Sequence, residues 1–172
     1  MCGILAFFDP QGHYQGTADQ LKEHLMTLIR RQRSRGPDGE GFHGTDKWGL
    51  AHVRLAIMDP EHGWQPLRLP EDGISSIVNG EIYNFKALLD KHQVDPAEAK
   101  TGSDSESVGL LYKKLGNEFV KELNGIFGFV VTKNDGKDIL AARDHCGIKP
   151  LYKGNGKHGE VWFSSELKSI VD

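Results

Sequence analysis

Five apolar residues, Ile4-Leu5-Ala6-Phe7-Phe8, stand directly behind Met1-Cys2-Gly3 and are closed by Asp9-Pro10-Gln11-Gly12. A short apolar run with turn residues behind it reads as a buried strand. The cysteine just ahead of it is in a special place. Loss of Met1 leaves Cys2 with a thiol, of reference pKa about 8.5, and an α-amine, of reference pKa about 7.7–8.0. One residue then carries both a nucleophile and a base that is largely neutral near pH 7, the arrangement in which the chain's own terminal amine takes the proton. The other reading of these residues is a strand that begins with a small buried cysteine.

Length and charge narrow the classes. A chain of 172 residues suits one domain and buries roughly 70% of its unfolded surface without help from disulfides or metals. Lys plus Arg number 21 against 24 Asp plus Glu, a net charge of −3, which argues against nucleic acid as a partner. The two cysteines, Cys2 and Cys146, have no paired spacing, so neither a disulfide scaffold nor a zinc ribbon is expected. The eight histidines show no ligand spacing, and no metal is expected. With no signal peptide and no run of transmembrane length, the expectation is a cytoplasmic protein with no membrane partner.

Along the chain, Thr17 and Gln20 form a capping box ahead of Leu21, Leu25, Leu28 and Ile29 on one helical face. Residues 35–41 read as a turn-rich loop, and Trp48 to Met58 as one or two strands. Ile74 to Val78 is an apolar strand that runs into Asn79-Gly80-Glu81, and a glycine there marks a backbone position that a ligand approaches closely. Asn84 is placed to cap a short helix. Ser103 and Glu106 suggest a second capping box, with Asp104 in the first turn behind it. The second half reads as two hairpins, around Asn134-Asp135-Gly136 and Gly154-Asn155-Gly156, and then a short helix opened by Ser165. Cys146 reads as a packing residue. Hairpins rather than βαβ units give an α+β fold with largely antiparallel sheets.

Six motifs occur in order: Cys2-Gly3-Ile4, Arg35-Gly36-Pro37-Asp38, Ala51-His52-Val53-Arg54-Leu55, Asn79-Gly80-Glu81-Ile82-Tyr83-Asn84, Thr101-Gly102-Ser103-Asp104-Ser105-Glu106, and Ala142-Arg143-Asp144 running through Gly147-Ile148-Lys149-Pro150-Leu151-Tyr152. Together they resemble the class II glutamine amidotransferase domain, most of all the glutaminase domain of glutamine-hydrolysing asparagine synthetases. The resemblance implies an N-terminal nucleophile fold over residues 2–172, with two stacked antiparallel sheets between helical layers (αββα). It also implies hydrolysis of the side-chain amide of L-glutamine to glutamate and ammonia for asparagine biosynthesis.

The likeness implies residue roles. Cys2 is the nucleophile that forms a thioester. Asn79 and the Gly80 N–H are the oxyanion donors, although Asn-Gly also suits a hairpin turn. Arg54 suits the α-carboxylate of glutamine, or else is a surface arginine at a strand edge. Glu81 and Asp104 match the positions that hold the ammonium. Their plain alternatives are a solvated loop acid and an acid favoured by a helix dipole. Arg35 and Asp38 shape a loop near the pocket, and His52 has no assigned proton to move.

Asparagine synthetases continue into a domain that uses ATP and Mg, and nothing in this sequence resembles it. No cofactor is therefore expected here, and the ammonia acceptor is expected on a separate synthetase chain or domain. The alternatives are a catalytically silent glutamine-binding or regulatory module, a fragment, or an N-terminal-nucleophile hydrolase of another amide.

Overall fold

β1 (Gly3–Phe8) lies at the centre of a five-stranded antiparallel sheet, and all six of its residues are buried. Its neighbours are β3 (Trp48–Arg54) and β9 (Val161–Ser164), with β2 (Gly39–Gly44) and β8 (Tyr152–Asn155) at the edges. A second antiparallel sheet runs in the order β4 (Leu67–Leu69), β5 (Ile74–Ile82), β6 (Gly125–Lys133), β7 (Asp138–Arg143). The helices are α1 (Ala18–Arg30), α2 (Phe85–Lys91) and α3 (Glu106–Leu115). The computed structural model describes residues 1–171, so the expected domain end at Asp172 lies outside the described residues.

Side-chain alternation along β1 explains the layers. Successive residues of a strand point to opposite faces. Ile4, Ala6 and Phe8 meet Trp48, Leu50, Ile77 and Val130 between the two sheets. Leu5 and Phe7 point the other way, onto Leu21, Leu25, Leu28 and Ile29 of α1. On the far side of the second sheet, Ile74, Val78, Ile82, Phe127, Phe129 and Val131 pack on Val108 and Leu111 of α3 and Leu88 of α2. This is the expected αββα order. Each fully buried Ile, Leu or Phe contributes about 1.5–3 kcal/mol, so the central strand must be apolar on both faces. The capping box on α1 is formed as expected, with Thr17 and Gln20 bonding reciprocally.

Several local expectations are corrected. β2 begins at Gly39, inside the stretch read as a loop, because Gly39 pairs with Arg54. Asn79-Gly80 is no hairpin turn, since both residues lie within β5 opposite Gly128 and Phe127. Gly80 has φ +144°, and a Cβ there would lie 2.0 Å from the Ile126 carbonyl oxygen. The close approach is therefore to a neighbouring strand. Asn84 caps nothing. Its amide donates to Glu122 O (2.9 Å) and accepts from Asn124 N (2.9 Å), tying two loops together.

Ser103 and Glu106 form no capping box. Glu106 starts α3, and its carboxylate accepts from Lys100 N and Thr101 N. Asp104 precedes the helix. Ser165 opens no helix beyond one 3-10 turn at Leu167–Ser169, and its hydroxyl accepts from Ile4 N instead. Cys146 is exposed and is no packing residue. Its loop folds around the Asp144 carboxylate, which accepts from Phe127, Ile148 and Lys149 N–H groups and leaves the intervening side chains outside. Among the described residues no helix is long and apolar enough to cross a membrane.

His52 sits opposite Ile4 in β3 and is 1% exposed. Burial pushes its pKa from 6.5 down to about 3, the Arg54 charge adds to the fall, and the Val78 backbone opposes it. The imidazole is therefore neutral near pH 7. In the unfolded chain it protonates below about 6.5, whereas the folded chain resists down to about 3, so stability is lost as pH falls through that window. Taken alone, this group lowers stability by about 2 kcal/mol at pH 5 relative to pH 8. Urea denaturation at the two pH values checks this. Wild type should lose about 2 kcal/mol more than His52→Gln, and equal losses would mean that His52 is not held neutral.

Candidate functional site

Cys2 is positioned by the strand that begins one residue later. Gly3 enters β1 against Gln32 and Val53, where a Cβ would lie 2.7 Å from Gln32 Oε1, so no larger residue fits behind the cysteine. Arg35 Nε donates to Cys2 O (2.9 Å), and its Nη1 is paired with Glu166 (3.1 Å). Asp38 accepts from Ala56 N (2.8 Å) and so fixes the segment just past β3. Arg35 and Asp38 thus act on backbone, as expected. Leu55 N donates to Cys2 Sγ at 3.4 Å. Burial raises the thiol pKa. The Leu55 backbone opposes that rise, as do, more weakly, the terminal amine, Arg54 and Arg35.

The thiol opens into a cavity of about 540 Å³, mouth included, whose walls contain all six residues expected from the sequence: Cys2, Arg54, Asn79, Gly80, Glu81 and Asp104. Met1 stands at its edge, half exposed. The sheets bring these residues together. Cys2 and Arg54 come from the ends of β1 and β3, and Asn79, Gly80 and Glu81 from the end of β5.

Asn79 is 1% exposed, and both its amide nitrogen and its amide oxygen lack a hydrogen-bond partner among the described residues. Buried amides are almost always paired, so this one calls for an explanation. It is held firmly from one residue back. Gln65 accepts from Val78 N (2.6 Å) and donates to Val78 O (3.1 Å). Gln65 lies 13 residues from Val78, and no sequence signal marks it.

Arg54 is 4% exposed, not a surface residue at a strand edge. Its Nη1 donates to Pro60 O (2.8 Å), and its Nη2 to Asp59 O (2.6 Å) and Met58 O (3.2 Å). The guanidinium also stacks on Trp64, 4.9 Å from the ring centroid. Of the five donors an arginine carries, three hold this loop, leaving Nε–H and one Nη1 hydrogen. The loop in turn reaches Asp104, because the Asp59 carboxylate accepts from Gly102 N (2.8 Å) two residues before it. Asp104 Oδ2 accepts from Ile82 N (2.7 Å). Burial raises its pKa and the nearby Glu81 charge adds to that, while the Ile82 and Ser105 N–H groups oppose it. Glu81 itself is exposed at the cavity rim. Lys149 also lines the cavity, although nothing in the sequence assigns it a role. Chemically, the site combines a thiol, an unpartnered amide beside the backbone N–H of a positive-φ glycine, two carboxylates and two cations around one small volume.

A family model described as "glutamine amidotransferase domain" matches residues 1–172. The chain is 45% identical, over 100% of its length, to asparagine synthetase [glutamine-hydrolyzing] 3 of Arabidopsis thaliana, and covers 29% of that protein. It is 39% identical, over 99% of its length, to asparagine synthetase B [glutamine-hydrolyzing] of Escherichia coli K12, and covers 30% of it. The chain therefore spans under a third of the length of these relatives. Among solved structures, glutamine phosphoribosylpyrophosphate amidotransferase from Bacillus subtilis superposes with a TM-score of 0.76 at 19% identity, over 98% of this chain and 43% of that one. That likeness concerns the fold alone.

The chain carries its own reference for the burial of Cys2, since Cys146 is exposed. While Met1 is in place, iodoacetamide at pH 7.5 should modify Cys146 well before Cys2, and Cys2 should catch up as the pH rises. Mass mapping of the alkylated peptides checks this, and equal rates at pH 7.5 would contradict the raised thiol pKa.

Proposed function

We propose that this chain, which belongs to the glutamine amidotransferase domain family, hydrolyses the side-chain amide of L-glutamine through Cys2, giving glutamate and ammonia. The carrying observation is the buried, unpartnered Asn79 amide in the same cavity as the Cys2 thiol. An unsatisfied buried donor of this kind suits an oxyanion that forms only during reaction.

In this reading, Met1 is removed, which puts the α-amine on Cys2 and clears the cavity edge. Cys2 Sγ attacks the amide carbon while its proton passes to the amine. The carbonyl electron pair moves onto oxygen, facing the Asn79 Nδ2–H and the Gly80 N–H. The tetrahedral species then expels ammonia, which takes the proton from the amine, and leaves a thioester. Water, giving its proton to the same amine, cleaves the thioester to glutamate and free thiol. Arg54, with its two remaining donors, takes the α-carboxylate, and Asp104 and Glu81 take the ammonium. Desolvated, hydrogen-bonded Asp104 is the stronger anchor of the two acids, because a charge-assisted bond gains from a water-poor wall.

The chemistry needs only the thiol, the amine and water, so no cofactor is assigned to this domain. ATP and Mg belong to the synthetase activity that would receive the ammonia, on a further domain or a partner chain, for asparagine formation. The relatives, named as glutamine-hydrolysing asparagine synthetases, support that pairing. Two free cysteines support a reducing, cytoplasmic setting.

Ammonia release from L-glutamine by the purified chain tests this. Cys2→Ala should abolish it. Asn79→Ala should lower kcat by about 10²–10³-fold with little change in KM, and Asp104→Asn should mainly raise KM. Turnover unaffected by Cys2→Ala would overturn the mechanism. Glutamine binding without turnover in a chain shown by mass to lack Met1 would favour a silent binding module instead.

A further inference from the structure

Lys149 is only 9% exposed and lines the cavity, yet among the described residues its ammonium has no hydrogen-bond or ion-pair partner. Lysines are almost never buried unless paired. The cavity's acids are not paired with it, since Asp104 is bonded to Ile82 N and Glu81 stands at the rim. Nor is Lys149 placed casually. Asp144, 3% exposed, accepts from the backbone N–H groups of Phe127, Ile148 and Lys149 and folds the segment after β7 back over β6.

Where that segment passes can be read from Gly128. Gly128 pairs directly with Asn79, so a Cβ on either residue would project to the same face. A Cβ on Gly128 would lie 3.6 Å from Pro150 O and 3.7 Å from Lys149 O. The chain at Lys149 therefore runs beside the Asn79 amide. Arg54, the other cation of the cavity, is committed to three loop carbonyls.

We propose that Lys149 is a specificity-determining residue, which places its positive charge at the amide end of the cavity and there holds the γ-carboxylate of L-glutamate. Glutamine presents a neutral amide at that end and glutamate a full negative charge, so the lysine favours the acid product over the amide substrate. Product retention is then a property of this one side chain. The inference rests on the glutamine reading above and adds to it the residue that discriminates amide from acid.

Calorimetric titration of L-glutamate and of L-glutamine into the Cys2→Ala protein, which needs no turnover, tests it. Lys149→Met added to that background should weaken glutamate binding about tenfold, the lower end for a charge-assisted hydrogen bond, and change glutamine binding less than twofold. Lys149→Arg should restore the ratio. Melting temperatures report whether each variant is folded, and a general loss of structure would weaken both ligands alike. If both ligands bind and Lys149→Met leaves their ratio unchanged, Lys149 has no such role while the glutamine reading stands. If neither ligand binds even with Lys149 present, the glutamine reading and this inference fall together.

Discussion

The structure depends on β1 being buried on both faces. Ile4, Ala6 and Phe8 close the space between the sheets, while Leu5 and Phe7 close the space under α1. The first contact joins the two sheets, and the second joins the first sheet to its helix. The same strand ends one residue from Cys2, so the packing that stabilises the fold also fixes the position of the thiol. A side chain set on a central, doubly covered strand has little freedom, which is what positioned chemistry requires.

Around that fixed point the cavity is assembled from backbone more than from side-chain pairs. Gln65 grips Val78 on both its N–H and its carbonyl, Asp144 gathers the loop that bears Lys149, and Arg54 gathers the loop at 58–60. Asp59 links that loop to Gly102 and so to Asp104. Three buried polar or charged side chains thus hold three chain segments, each with a residue that lines the cavity. A buried group that satisfies several backbone partners rigidifies its surroundings. The Asn79 amide is the exception, since neither its nitrogen nor its oxygen has a partner among the described residues.

Charge in the cavity is mixed. Burial raises the pKa of Asp104, and the Glu81 charge adds to that rise. Arg54 supplies the opposite sign from the end of β3, and Lys149 from the loop after β7. A zwitterionic ligand is the natural complement of such walls. The buried thiol, by contrast, gains from the nearby cations less than it loses by desolvation, so an amine close to Sγ is the missing chemical ingredient that removal of Met1 would supply.

Much of this was legible in the sequence. The apolar run 4–8, the capping box at Thr17 and Gln20, and the turn at Asn134-Asp135-Gly136 are local signals whose physics acts within a few residues, and each formed as expected. The six cavity residues were legible too, through motifs with recognisable spacing. The misread features were long-range. The strand read as ending at Val78 continues to Ile82, because β6 lies beside it. Asn84 and Glu106 look like caps but bond to distant or upstream backbone, and Cys146 looks like core but faces solvent. Gln65 gave no warning at all and Lys149 stood in a motif that assigned it no role, since a glutamine or a lysine acquires its role only from what the fold sets against it. Local chemistry and periodicity thus determined the elements and the nucleophile. Only the stacking of two sheets decided which polar side chains were buried around that nucleophile, because burial is a property of neighbours separated by tens of residues along the chain.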